Sequence, residues 1–275
     1  RKGAEVLDTK TPVAVTTVAR GAITEALVFN GEVVPHAEVS IYSTVPGKVQ
    51  NILVDEGAAV ARDQVLAYID RSEAGLTYAP TPVRSTITGL VKKAPVETGA
   101  YITPQVPLFQ VIDMDTVEVV VHIPERDIHR VRSGLPARVT VISYPDREFN
   151  GAVNRLSPVV DPVSRTREAR IRIPNPGHLL KPGMYGEVRI VVRAAVDDLV
   201  IPLNAVLERD GRRFVYVVEQ GKAVRVEPEF GIREGDRIAV SSGLQPEARV
   251  IVIGQQNVDH GDPVDVTEEA ADEDL

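Results

Sequence analysis

Cysteine is absent from the 275 residues, which excludes disulfide and thiol chemistry but leaves the compartment open. Tryptophan is absent too, aromatics make up only 4% of the chain, and methionine occurs twice, as Met114 and Met184. Cores must then be built from Val, Ile, Leu and Ala. The branched Cβ of Val packs well on a pleated surface and favours strands over helices. No apolar run approaches the roughly 18–20 residues needed to span a bilayer. No basic stripe interleaved with aromatics occurs, so the chain is not expected to bind nucleic acid. Gly-x-Ser-x-Gly, the Walker phosphate loop and Gly-x-Gly-x-x-Gly are all missing, and no enzymatic activity is expected. The five histidines, His36, His122, His129, His178 and His260, show no close ligand spacing. A metal site needs several converging N, S or O ligands, so neither metal nor cofactor is expected.

What the chain does have is length enough for two to four small domains and a strongly β pattern. Short alternating runs at 117–123, 137–142, 187–192 and 214–218 predict strands. Asp210-Gly211 and Gln220-Gly221 lie between such runs and predict tight hairpins. The stretch from Pro124 to Gly134, with Ile128 and Val131 three apart, predicts a short helix. Net charge is −8, and five of the negatives fall in the last eight residues, which predicts a disordered acidic tail over 268–275.

The most informative feature is an internal repeat. A shift of 42 positions places Gly47 on Gly89, Val49 on Val91, Val54 on Val96, Gly57 on Gly99, Val60 on Ile102, Leu66 on Leu108 and Ile69 on Val111, with no gap. A unit of about twenty-five residues cannot bury its own apolar face, whereas two copies can interlock. Gly47, Gly57, Gly89 and Gly99 are expected at tight turns, and so is Gly183.

This pair resembles the two halves of a lipoyl/biotinyl-type barrel-sandwich domain. One use of that module is as a cofactor carrier, which needs a lysine at the turn joining the halves. The joining segment 71–86 has no lysine; Lys48, Lys92 and Lys93 lie inside the repeats. The other use is structural, in bacterial membrane-fusion (periplasmic adaptor) proteins of efflux pumps. Further stretches are similar to that family: Val13–Thr24 and Gly31–Val39 to its entry strands, Asp161–Pro176 and Leu180–Val188 to its β-barrel, and Val200–Leu207 with Val215–Val218 and Val240–Pro246 to its membrane-proximal domain.

The resemblance implies a mainly β, elongated multidomain fold with one or two short helices. It implies a linker at 1–11, a membrane-proximal domain from 12–24 and 196–267, a β-barrel from 25–37 and 114–195, and the sandwich at 38–113. Segment 71–86 is then a short loop standing where many relatives carry a long α-helical hairpin, and Val13–Val18 should pair with strands beyond Asp198. The implied role is a periplasmic, non-catalytic adaptor held at the inner membrane by a segment or lipid upstream of Arg1. Its implied partners are an inner-membrane efflux transporter, of the resistance-nodulation-division type with an ATP-driven pump as the alternative, further copies of itself, and an outer-membrane channel met through the sandwich tip. Tyr78, Arg84, Arg165 and Arg167 are the expected partner contacts. The arginines at 165, 167, 170 and 172 read as one cationic row on a twisting strand.

Overall fold

The structure, a computed structural model, describes residues 10–72 and 78–269. It is mainly β. In chain order the strands are β1 (Thr11–Thr17), β2 (Ala19–Tyr42), β3 (Gly47–Ile52), β4 (Ala59–Val60), β5 (Val65–Asp70), β6 (Thr81–Arg84), β7 (Gly89–Lys93), β8 (Tyr101–Ile102), β9 (Pro107–Pro124) and β10 (Pro136–Val141). There follow β11 (Phe149–Leu156), β12 (Thr166–Pro174), β13 (Tyr185–Pro202), β14 (Leu207–Arg209), β15 (Arg212–Glu219), β16 (Lys222–Val226), β17 (Glu229–Glu234), β18 (Arg237–Ser242), β19 (Arg249–Ile253) and β20 (Val264–Glu269). Among the described residues no helix is long and apolar enough to cross a membrane.

The chain forms two compact units, one from Arg1–Leu27 with Val191–Leu275, the other from Val28–Ile190. In the first, β1 lies between β19, antiparallel to it, and β20, parallel to it. The pairing expected of Val13–Val18 with strands beyond Asp198 is therefore present. Alternation along β1 sends Val13 and Val15 into a core with Phe214, Tyr216 and Ile251, and Ala14 into another with Val215 and Val250. The Asp210-Gly211 and Gln220-Gly221 hairpins both form, each with two residues at positive φ.

The second unit contains a ring of six strands. From β2 it runs through β9, β12, β11, β10 and β13, and β13 returns to β2. Backbone bonds from Val33 N to Met184 O (2.8 Å) and from Gly183 N to Val33 O (2.9 Å) lie at that closure. Val119, Val121, Val139, Ile171, Val188 and Ile190 are fully buried.

The same unit contains the repeat, and there the 42-position shift holds bond for bond. β3 pairs with β5 through Lys48↔Asp70, Val49↔Ile69 and Asn51↔Tyr68; β7 pairs with β9 through Leu90↔Ile112, Val91↔Val111 and Lys93↔Gln110, with the irregularity at the same step. Strand exchange links the copies: Gly47↔Ile102 joins β3 to β8, and Val60↔Gly89 joins β4 to β7. Gly57 N donates to Val91 O at 2.7 Å, and Gly99 N to Val49 O at 2.8 Å. Ser43 Oγ donates to Val45 O and Ser85 Oγ to Ile87 O, both at 2.6 Å. Each half thus completes the other's sheet. The shared core includes Leu66, Ile69, Leu108 and Phe109, all fully buried. Each such side chain contributes about 1.5–3 kcal/mol of burial free energy.

Several expectations need correction. The helix expected over Pro124–Gly134 is a single 3-10 segment, Glu125–Arg130. It has no side-chain N-cap bond, and its last amide, Val131 N, reaches back only to Ile128 O before the chain turns extended to bury Val131. The loop expected over 71–86 is shorter: Thr81–Arg84 form β6, which pairs with β5 and buries Val83. No helix occurs among the described residues of that segment, and residues 73–77 lie outside them. The expected tail begins inside β20, whose Glu268 and Glu269 pair with Ala14 and Val15; residues 270–275 lie outside the described ones. The first strand starts at Thr11, inside the expected linker, because Thr11 N already bonds to Pro263 O at 3.1 Å.

Gly47 and Gly89 do not sit in turns. Each opens a strand, and close approach requires glycine there. A Cβ on Gly47 would lie 2.5 Å from Asp70 O and 2.8 Å from Ile69 Cγ2; a Cβ on Gly89 would come closer still to Ile112 O. Gly57, Gly99 and Gly183 do sit in turns, with φ of 85°, 93° and 87°.

Candidate functional site

Four side-chain constellations stand out, all in the Val28–Ile190 unit. The first is a cleft where β8, β3 and β5 lie side by side. Tyr101, Lys48 and Asp70 form a row across the three strands, each opposite the next in register. Arg71, Ser72 and Tyr78 line it too, with Val45, Pro46 and Gly47. The Arg71 guanidinium stacks 4.7 Å from the centre of the Tyr78 ring. Asp70 Oδ1 accepts from Ser72 N at 2.8 Å. Hydrogen bonding from Ser72, with the Lys48 charge as a smaller cause, lowers the Asp70 carboxyl below its usual pKa. Tyr101 is 73% exposed and Tyr78 41%. Of the two contacts expected in the joining segment, Tyr78 belongs to this cleft. Arg84 does not line it; its Nη1 donates to Asp63 O at 2.8 Å.

The second is the loop between β11 and β12. Asp161 Oδ1 accepts from Val163 N (3.0 Å), Ser164 N (2.7 Å) and Ser164 Oγ (3.0 Å). These bonds hold its carboxyl below the usual range. Asp161 N donates to Thr166 O and Arg165 N to Asp161 O, closing the loop at its base. Ser157 Oγ both donates to Val159 O and accepts from Val159 N. A loop so tied still exposes Val159 (68%) and Val163 (92%).

The expected cationic row is divided. Arg165 lies in that loop at φ 52°, before β12 begins, because the Asp161 turn requires it. Arg167 Nε donates to Ser157 O at 2.6 Å. Arg170 and Arg172, on the opposite parity of the strand, meet Glu118 of β9 instead, at 3.3 and 3.9 Å. This third constellation also includes His36 Nδ1, 3.4 Å from Glu118, and Glu168, whose carboxylate accepts from Arg170 Nε at 2.8 Å. The bond to Glu168 first, then that to Glu118, raises the Arg170 pKa. Glu118 is 6% exposed, so its charge is compensated by this cluster rather than by water.

The fourth surrounds Asn175, which is buried. Its Nδ2 donates to Met114 O (3.0 Å) and Leu180 O (2.8 Å), while its Oδ1 accepts from Leu180 N (2.9 Å). The asparagine thereby fixes the turn that carries Gly183 into β13.

The histidines are scattered. His36 meets Glu118, His178 Nε2 lies 2.9 Å from Asp115, and His260 Nδ1 accepts from Arg225 N. Among the described residues no three His, Cys, Asp or Glu side chains converge on a common point. Local patterns hid Glu118, Asn175 and the cleft cations. The cleft did carry a signal in the repeat, at aligned positions where the two copies differ in charge or aromatic character: Lys48 against Leu90, Arg71 against Asp113, Tyr101 against Ala59.

Comparison with known proteins agrees with this architecture. The family described as CusB-like, beta-barrel domain matches residues 116–194, and that described as YknX, C-terminal permuted SH3-like domain matches residues 198–266. The chain is 25% identical over 209 residues to the multidrug resistance protein MdtA of Proteus mirabilis, covering 73% of this chain and 50% of that protein. It is 33% identical over 144 residues to the macrolide export protein MacA of Yersinia pestis, covering 51% and 39%. It therefore spans at most half the length of these relatives. The crystal structure of MacA from Actinobacillus actinomycetemcomitans matches in fold, with a TM-score of 0.62 at 19% identity, covering 86% of this chain and 98% of that one.

Proposed function

We propose that this chain is a bacterial membrane-fusion protein, the periplasmic adaptor of an efflux pump. It is anchored at the inner membrane, engages a transporter of the resistance-nodulation-division type, and connects it to an outer-membrane channel. Several copies assemble around the transporter. The adaptor makes and breaks no bonds; it aligns and seals a conduit and biases the pump's states by contact. In this reading residues 12–24 and 196–267 form the membrane-proximal domain, 25–37 and 114–195 the barrel, and 38–113 the sandwich.

One observation carries the reading: a complete two-half sandwich whose joining segment has no lysine for a cofactor. The module is kept while the carrier chemistry is not. Arg165 and Arg167 are proposed contacts to the transporter or a neighbouring copy, and Tyr78 and Arg84 to the outer-membrane channel.

In-cell cross-linking of the protein, followed by mass spectrometry, tests this. Recovery of a large inner-membrane transporter is expected, with loss of drug resistance on deletion of the adaptor. Intact mass showing a lipoyl or biotinyl adduct, with no transporter captured, would sink the proposal. Charge reversal of Arg165 and Arg167 is expected to lower resistance in a folded protein; unchanged resistance removes that contact.

A further inference from the structure

We propose that the cleft formed by Lys48, Arg71, Tyr78 and Tyr101 binds an acidic peptide segment of a protein partner. The proposal rests on the adaptor reading only for the partner's being a protein. The cleft has an internal control, because the pseudo-symmetric copy of its backbone lies in the same unit. Lys48 maps to Leu90, Tyr101 to Ala59, Arg71 to Asp113 and Ser72 to Met114, and the strand pairings beneath them match position by position. The second copy folds into the same registers without a cation or an aromatic ring at those places. Folding thus does not explain why one cleft carries them.

The chemistry of the cleft selects an anion beside an apolar group. Among the described residues the Lys48 ammonium makes no hydrogen bond or ion pair, and Arg71 is held only by the ring beneath it. Among the described residues one carboxylate, Asp70, stands against these two cations, so the described lining is net positive in a protein of net charge −8. The Arg71–Tyr78 stack holds a guanidinium in place, and Tyr101 offers a rigid ring at small entropic cost, the pairing that anchors protein interfaces. The cleft measures about 520 Å³, within the range of small-ligand and side-chain sites.

A peptide fits better than a glycan. A sugar ring needs several acceptors for its hydroxyls, but the cleft's carboxylate already accepts from Ser72 N, and Ser72 Oγ from Tyr78 N. Beyond the second Asp70 oxygen, the groups left to a ligand are cationic and aromatic, which suits Glu or Asp side chains flanked by aliphatic or aromatic ones.

The test is an NMR titration of the isotope-labelled protein with a synthetic hexapeptide alternating Glu and Phe, its Gln counterpart, and a soluble muropeptide. Expected are shifts at Lys48, Arg71, Tyr78 and Tyr101 with none at Ala59 or Leu90. Binding should weaken at least about tenfold for the Gln peptide and further with salt, as for exposed charge contacts. The double variant Lys48→Leu with Tyr101→Ala installs the residues of the second copy, so its fold has a precedent within the chain. It should keep its unfolding temperature and lose the peptide at least about tenfold. Undiminished binding by that variant, shifts centred elsewhere, or binding of the muropeptide but not the acidic peptide would overturn the proposal. Transporter capture by the same variant is scored separately: captured transporter with no peptide binding defeats the cleft alone, and failed capture by the wild-type protein defeats the adaptor reading.

Discussion

Asn175 holds both backbone groups of Leu180, accepting from its amide and donating to its carbonyl, and gives its remaining amide hydrogen to Met114 O. All three bonds are buried, so one side chain satisfies three backbone groups that have no water to turn to. Asn175→Ala is expected to destabilise the protein by about 2–4 kcal/mol in urea denaturation, since unsatisfied buried groups cost about 1–3 kcal/mol each and relax in part. Asn175→Asp should not rescue it, because a carboxylate accepts from Leu180 N but cannot donate to two carbonyls.

The sandwich glycines should rank by mechanism. Gly47→Ala and Gly89→Ala push a methyl group into backbone on the adjacent strand and should each cost about 1–3 kcal/mol. At Gly57 there is open space and a φ of 85°, so Gly57→Ala meets only backbone strain, about 1–2 kcal/mol. Equilibrium unfolding of the three variants checks the order; a larger loss at Gly57 than at Gly47 would contradict the close-approach account.

Glu118 and Arg170 should be energetically coupled. The carboxylate is nearly inaccessible, and Arg170 is its nearest arginine. Glu118→Ala is expected to cost about 1–3 kcal/mol, the range for hydrogen bonds to a charged group whose partners are left behind. A double-mutant cycle with Arg170→Met should return a coupling of about 0.5–3 kcal/mol. Additive losses would mean that Arg170 is served by Glu168 alone.

The Asp161 loop should loosen in acid. Its carboxyl is held below the usual value of 3.8 by bonds from Ser164 and Val163. Because the folded pKa is depressed, the ordering contribution is complete above 3.8 and is lost as pH falls through the lower folded value. Amide resonances of Val163 and Ser164, followed from pH 6 downward, should report that transition. Asp161→Ala should show the loosened loop at neutral pH.

The β class, the hairpins at 210–211 and 220–221 and the repeat were legible because each depends on local pattern: alternation, a Gly at positive φ, a fixed shift. The 3-10 segment at Glu125–Arg130 looked like a longer helix because Ile128 and Val131 have helical spacing, but its start is tied to the 157–166 loop by Glu125 N bonded to Arg165 O, and the chain turns extended at Val131. β6 was missed because Pro80 and Pro82 suggested a loop; Pro82 is tolerated where β6 forms the edge of its sheet. The arginine row misled for a related reason: Arg165 precedes β12, and the step of three from Arg167 to Arg170 changes face within one unbroken strand. Glu118 meets Arg170 across 52 positions, a separation at which no local pattern indicates a partner.

Strand exchange between the repeat halves also decides what the joining segment does. β8 lies on β3 and β4 on β7, so each half is held by hydrogen bonds to the other and by a common interior. Within the joining segment β6 belongs to the sheet through β5, while the exchange that joins the halves lies elsewhere. The link from β5 to β6 can change in length while that exchange is kept, so two proteins can share this sandwich and differ widely in how far they project from it.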